Sequence, residues 1–144
     1  MTYQSVLESP SSPSRAHHRV IALASIAIAA VLTRLAPQYL RWCLEQLRRG
    51  ARPATYEEAL ACRDAVVSVS LRCASREGCL LRSVSAAIAC RFQGTWPTWS
   101  VGVQTKSPFG AHAWLEVDGH MVNELIPDGS MSRLFAVPPI ERRR

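Results

Sequence analysis

The chain of 144 residues is 48% apolar and 19% charged, which excludes a wholly disordered protein and allows one modest hydrophobic core. Its net charge of +6, from 17 basic and 11 acidic side chains, first suggests a nucleic acid or an acidic membrane surface as a partner. Residues 1–54 carry +5 and residues 133–144 carry +3, whereas residues 55–132 carry −2, so the central region is nearly neutral and nucleic-acid binding is not predicted.

The N-terminal part is predicted to be a tail followed by helices. Residues 1–16, rich in Ser and Pro, are predicted to be disordered, and residues 17–54 to form a helical segment. A first helix is predicted over about 17–35, ending before Pro37. A second helix is predicted over about 38–50, with its apolar residues on one face.

The first helix contains an uncharged stretch, residues 20–33, between Arg19 and Arg34. These 14 residues fall short of the roughly 20 that a membrane-spanning helix needs. The stretch is therefore predicted to be a buried or partner-facing helix, and contact with a membrane is not expected.

A core domain is predicted over residues 55–137, and it opens with two more helices. Thr55 followed by Glu58 forms a capping box, which predicts the start of a third helix. Apolar residues then recur at helical spacing as far as Cys73. A fourth helix, with an apolar inner face, is predicted from about residue 79 to residue 92.

The hydrophobic period then changes to two, which is typical of strands. Strands are predicted over residues 99–105, 112–117 and 120–125, with Asp118-Gly119 joining the last two. The basic tail, residues 138–144, shows no periodicity. Helices followed by a small antiparallel sheet predict an α+β fold.

The five cysteines bear on compartment and chemistry. An odd count without a secretory signal argues against a disulfide framework and predicts reduced thiols in a cytoplasmic protein. No CxxC or HxxxH pair occurs, so neither a metal site nor another cofactor is predicted. The apolar-face spacing of Cys62, Cys73 and Cys90 indicates core packing.

Cys79 differs from those three because it follows a glycine at the predicted start of a helix. Free amide groups and the helix dipole favour a thiolate there, and the same amides can stabilise an oxyanion. His112, at the start of a predicted strand between two alanines, is the candidate general base. A helix-start cysteine followed by a strand histidine is the arrangement of papain-like and transglutaminase-like enzymes.

A third group must orient the imidazole of His112. Glu116 and Asp118 lie on the same strand, about 13 and 20 Å away at roughly 3.3 Å per residue, too far to reach it. A two-residue turn would place Leu125 opposite His112. A three-residue loop with Gly119 in the bulge position would place Glu124 there instead, on the same face. Glu124 is therefore the first candidate, with Asn123 and Asp128 as alternatives.

Several segments together resemble a known family. They are Cys79-Leu-Leu-Arg-Ser, Val101-Gly-Val, Pro108-Phe-Gly-Ala-His-Ala-Trp-Leu-Glu-Val-Asp-Gly and Val122-Asn-Glu. Over about residues 55–126 the chain resembles the transglutaminase-like leader peptidase of lasso-peptide biosynthesis. The resemblance implies a papain-like core and a cysteine protease that cuts the leader from a ribosomally made precursor through a thioester. It also implies a triad of Cys79, His112 and Glu124, the last at a position where the family usually has Asp.

The resemblance also implies partners. A cyclase closes the macrolactam after the leader has been removed. Only about 50 residues precede the catalytic region, and they are predicted to be helices rather than a winged-helix module. The chain therefore looks like the split form, which relies on a separate small leader-recognition protein to bring the precursor peptide.

Two other functions remain open at this point. One is a non-catalytic transglutaminase-like module that only presents a peptide to an enzyme. The other is an amide transferase that uses the same Cys-His-acid site with an amine as acceptor. Arg82, one turn into the Cys79 helix, either binds leader carboxylates or pairs with a neighbouring acid.

Overall fold

The computed structural model describes residues 13–105, 110–124 and 130–141. Within these ranges the helices are α1 (Pro13–Leu32), α2 (Pro37–Leu47), α3 (Tyr56–Val69), α4 (Leu71–Ala74) and α5 (Cys79–Phe92). The strands are β1 (Arg52–Pro53), β2 (Thr95–Trp96), β3 (Thr98–Gln104), β4 (Ala111–Val117), β5 (His120–Met121) and β6 (Met131–Val137). A 3-10 turn over Arg76–Gly78 leads directly into α5.

The main sheet has four antiparallel strands in the order β5-β4-β3-β6, and β1 pairs with β2 in a short parallel ladder. Helix α5 is buried along almost its whole length and packs against α1, α3 and β4. The core between helices and sheet contains three fully buried tryptophans: Trp96, Trp99 and Trp114. Helices followed by a small antiparallel sheet confirm the predicted α+β, papain-like fold class.

Helix α1 begins at Pro13, inside the segment predicted to be a disordered tail, and residues 1–12 lie outside the described residues. It buries one face, with Ala22, Ser25 and Ala29 fully covered, and leaves other apolar side chains such as Val31 exposed. Among the described helices, none is both long enough and apolar enough to span a membrane.

The capping box predicted the start of α3 correctly. The hydroxyl of Thr55 accepts a hydrogen bond from the backbone N–H of Glu58 at 3.2 Å. The predicted run to Cys73 is interrupted, because Ser70 leaves the helical conformation and its side chain caps the short helix α4. The bounds of α5 agree with the prediction.

The sheet agrees with prediction in β3 and β4 and differs elsewhere. The predicted strand over residues 120–125 starts where expected but is too long, because β5 ends at Met121. One more backbone hydrogen bond follows, from the N–H of Val122 to the carbonyl of Leu115 at 2.9 Å, and the chain then bends at Asn123, where φ is +48°. Leu125 lies outside the described residues. Strand β6 was not predicted. Its successive residues Arg133 and Leu134 are both exposed, so burial does not alternate along this strand. The alternating pattern that marks a half-buried strand is therefore missing.

Candidate active site

Cys79 is the first residue of α5, and the turn before it requires a glycine. A Cβ built on Gly78 would lie 1.9 Å from the carbonyl oxygen of Arg72, so any side chain there would force the backbone apart. The close approach lets the 3-10 turn run straight into the helix. The Cys79 thiol is thereby placed at the helix N-terminus, as the sequence predicted, and it is half-buried.

His112 reaches the same place from strand β4. It pairs in register with Gly102 of β3, where an added Cβ would meet the carbonyl oxygen of Ser132 at 2.5 Å and the ring of Trp114 at 2.8 Å. The His112 ring stacks on Trp114, with ring centroids 6.0 Å apart and planes inclined by 15°. The indole N–H of Trp114 donates in turn to the buried carboxylate of Glu116. The His112 imidazole therefore packs against the Trp114 ring, which is itself held by a hydrogen bond.

Glu124 lies beside His112, but by a route that the predicted hairpin register did not describe. Val117 pairs with His120, so the connection is the two-residue Asp118-Gly119 turn, with positive φ at both residues. That register, continued as a strand, would set Leu125 opposite His112. The strand ends instead, and the bend at Asn123 brings Glu124 back toward His112. The predicted three-residue loop is therefore wrong, although the residue chosen is the one that reaches the imidazole.

One buried carboxylate joins the histidine to two arginines. Oε2 of Glu124 lies 3.3 Å from Nε2 of His112, and Oε1 lies 3.5 Å from a guanidinium nitrogen of Arg82. Nε of Arg63, on α3, lies 4.0 Å from the same Oε1. The side chain of Glu124 is only 10% exposed, so these contacts are shielded from bulk water. The negative charge of Glu124 is thus balanced by one arginine from α3 and one from α5.

Arg82 also hydrogen-bonds to the segment that precedes Cys79. One of its nitrogens donates to the carbonyl of Cys73 at 3.0 Å and to that of Ser75 at 3.1 Å. The residue is buried, and its other terminal nitrogen faces Glu124. Of the two roles considered for Arg82, the structure therefore shows pairing with a neighbouring acid. It links the turn before the cysteine to the acid behind the histidine.

Cys79 and His112 line the same cavity, and each shifts the pKa of the other. The hydrogen bond with His112 lowers the pKa of the Cys79 thiol, against the opposing effect of burial, and the backbone N–H of Ala113 adds to the lowering. The bonds with Cys79 and Glu124 raise the pKa of His112 to about 9. Both shifts favour a thiolate–imidazolium pair at neutral pH.

Burial opposes ionisation of Glu124, but its pKa still lies below the ordinary value. The hydrogen bond from His112 and the charges of Arg82, His112 and Arg63 outweigh the desolvation. Glu124 is therefore a carboxylate at neutral pH and can accept the imidazole N–H. That bond fixes the ring with its other nitrogen available to the thiol.

Of the two alternatives to Glu124, only Asn123 lies within the described residues. Asn123 is exposed, and its backbone N–H donates to the hydroxyl of Tyr56 at 3.2 Å, which helps to hold the bend. Asp128 lies outside the described residues. Sequence reasoning did not find Arg63, since nothing on α3 marks one arginine as facing an acid 61 positions later. No group of three His, Cys, Asp or Glu side chains in the described ranges could hold a metal ion.

The fold and this arrangement of side chains define a papain-like α+β domain whose helix-start cysteine faces a strand histidine. A model of the transglutaminase-like superfamily matches residues 22–134. The chain belongs to that superfamily, and the match begins within α1. No curated protein and no solved structure was found to match it. Members of the superfamily are generally enzymes with a Cys-His-Asp set, whereas the carboxylate beside the histidine here belongs to Glu124.

Proposed function

We propose that the protein is a cysteine peptidase that removes the leader from a ribosomally synthesised lasso-peptide precursor before a partner cyclase forms the macrolactam. The observation that carries the peptidase proposal is that the half-exposed Cys79 thiol and His112 line one cavity, while Nε2 of His112 lies 3.3 Å from the Glu124 carboxylate. The sequence segments around Cys79, His112 and Glu124 support the lasso-peptide assignment.

Cys79 attacks the peptide carbonyl as a thiolate, forming the C–S bond and a tetrahedral oxyanion. Backbone N–H groups at the start of α5 donate hydrogen bonds to that oxyanion. His112, already protonated, gives its proton to the amide nitrogen as the C–N bond breaks and the amine leaves. A water molecule then gives a proton to His112 while its oxygen attacks the thioester, and Cys79 departs as a thiolate.

Glu124 acts through His112. It accepts the imidazole N–H, holds the ring in one orientation and stabilises its positive charge. Arg82 is a positioning residue because it contacts Glu124 and the turn before Cys79 rather than the reacting atoms. The proposal places the protein in the cytoplasm with a separate leader-recognition protein and the cyclase as partners, and it requires no cofactor.

In the direct test, the precursor is incubated with the protein and its leader-recognition partner, and the masses of the products are measured by mass spectrometry. We expect release of the intact leader, with loss of that product in Cys79→Ala and retention in Cys43→Ala, because Cys43 lies on α2 and is not among the residues that line the cavity at Cys79. Leader release by Cys79→Ala would contradict the proposal. A product carrying an added amine would indicate amide transfer, and binding without any product a presenting module.

A further inference from the structure

An apolar groove opens at the reacting pair. It encloses a cavity of about 410 Å³ that begins at Cys79 and His112 and reaches the connection between α1 and α2. Val101 of β3 and Leu134 and Phe135 of β6 form part of its wall. Among the described residues that line it, only Cys79 and His112 are titratable.

The few other polar groups in this wall are already hydrogen-bonded inside the protein. The hydroxyl of Thr33, which directly follows α1, donates to the carbonyl of Ala30 at 3.4 Å. The indole N–H of Trp99 donates to the hydroxyl of Ser83 at 3.0 Å. A charged or strongly polar group in the groove would therefore lose water without gaining a side-chain partner, which is unfavourable.

The mouth of the groove exposes large apolar side chains. Leu134 is 61% exposed and Leu35 is 40% exposed, although both belong to the lining. The guanidinium of Arg41 lies 5.4 Å from the centre of the Phe135 ring and is paired with Glu45 at 3.1 Å. The rim therefore offers apolar surface, and covering that surface is favourable.

The occupant follows from the position of the sulfur. A carbonyl carbon that approaches Cys79 through this groove has its flanking atoms against the apolar wall, because Cys79 and His112 line the groove themselves. We propose that the groove is a specificity pocket for a large aliphatic or aromatic side chain of the substrate, within one or two residues of the scissile bond, and that Leu134 is one of its determinants. This deepens the proposed function, but its first requirement is only that Cys79 is the point of attack.

The test uses maleimides, because the substituent on their nitrogen lies beside the carbon that the thiolate attacks. Rate constants for modification of Cys79 in the full chain are measured by peptide mass spectrometry for N-cyclohexylmaleimide and N-(2-hydroxyethyl)maleimide. Each rate is divided by the rate of the same reagent with glutathione. We expect the cyclohexyl reagent to be preferred by about tenfold or more, as burial of several methylenes predicts.

Leu134→Asp should reduce that preference to within about twofold, because it puts a charge at the mouth. Val20→Asp, an exposed change on α1 outside the groove, is the matched control and should keep the preference. Equal normalised rates in the unmodified protein, or a preference that Leu134→Asp leaves intact, would overturn the pocket. A Cys79 that reacts with neither reagent would overturn the pocket and the peptidase together. A clear preference in a protein that cuts no precursor would contradict only the peptidase.

Discussion

Helix α5 carries a cysteine near each end, and the two thiols lie in opposite environments. Cys79, at its start, is half-buried beside a histidine that a buried carboxylate and two arginines support. Cys90, near its end, is fully buried in an apolar cluster. A hydrogen bond with Cys62 and burial raise the pKa of Cys90 well above its ordinary value, whereas His112 lowers that of Cys79. Reactivity here is a property of the surroundings, not of the residue type.

The largest expected effect is on kcat, and it should differ between substitutions of these two cysteines. Cys79→Ala should lower kcat for leader release by more than about a thousandfold, because Cys79 is the only thiol among the described residues that line the cavity with His112. Cys90→Ala should keep kcat within about threefold and lower the free energy of unfolding by about 1 kcal/mol. Turnover assays and urea denaturation measure the two quantities. A Cys90→Ala variant that folds but loses activity like Cys79→Ala would erase the distinction.

Removing the histidine should make the first thiol resemble an ordinary one. His112→Ala should lower kcat/KM by about 10²–10⁴-fold, since general acid–base catalysis is lost. It should also raise the pKa of Cys79, because the hydrogen bond with His112 is the largest cause of its lowering. His120→Ala, on the exposed end of the same hairpin, is the matched control and should leave both quantities unchanged. Retained activity in His112→Ala would contradict the assigned role.

A smaller effect is expected from the acid behind the histidine. Glu124→Gln keeps the shape but leaves Arg63 and Arg82 without their carboxylate, and it should lower kcat by about 10–100-fold. It should also lower the pKa of His112, to which Glu124 contributes. Glu124→Asp keeps the charge and should lose less activity than the Gln variant. If Glu124→Asp were the worse of the two, the charge would not be what matters.

The pH profile should show a gradual effect whose sign follows from the two shifts. The reactive form has Cys79 deprotonated and His112 protonated. Its population rises with pH through the lowered pKa of Cys79 and falls as pH passes about 9, the pKa of His112. Above that value kcat/KM should fall by about tenfold per pH unit. The descending limb should move to lower pH in Glu124→Gln, and an unchanged limb would count against the contact between Glu124 and His112.

The parts of the molecule fixed by local patterns could be predicted from the sequence. The Thr55–Glu58 capping box and the apolar periodicity give the start of α3 and the bounds of α5, and alternation gives β3 and β4. Strand β6 was missed because tertiary contacts with β3, not its own pattern, make it a strand.

Within the candidate site, too, some residues could be predicted from local patterns and others depend on tertiary structure. Cys79 and His112 are marked by local signals, a glycine before a helix and a strand start between alanines. Glu124 was chosen from a hairpin register that the Asp118-Gly119 turn does not adopt, and it reaches His112 only because the chain bends at Asn123. The contact of Arg63 with Glu124 depends on how α3 packs, which no local pattern encodes.

The most direct test of the central claim is the pH dependence of alkylation at each cysteine of the folded protein. Iodoacetamide is applied from pH 5 to pH 10, and mass spectrometry gives the rate at every thiol. We expect Cys79 to be modified first, with a midpoint below the free-thiol value of about 8.5, and Cys62, Cys73 and Cys90 to stay protected until the protein unfolds. A midpoint at Cys79 equal to or above the free-thiol value, or modification of Cys90 at a comparable rate, would contradict it.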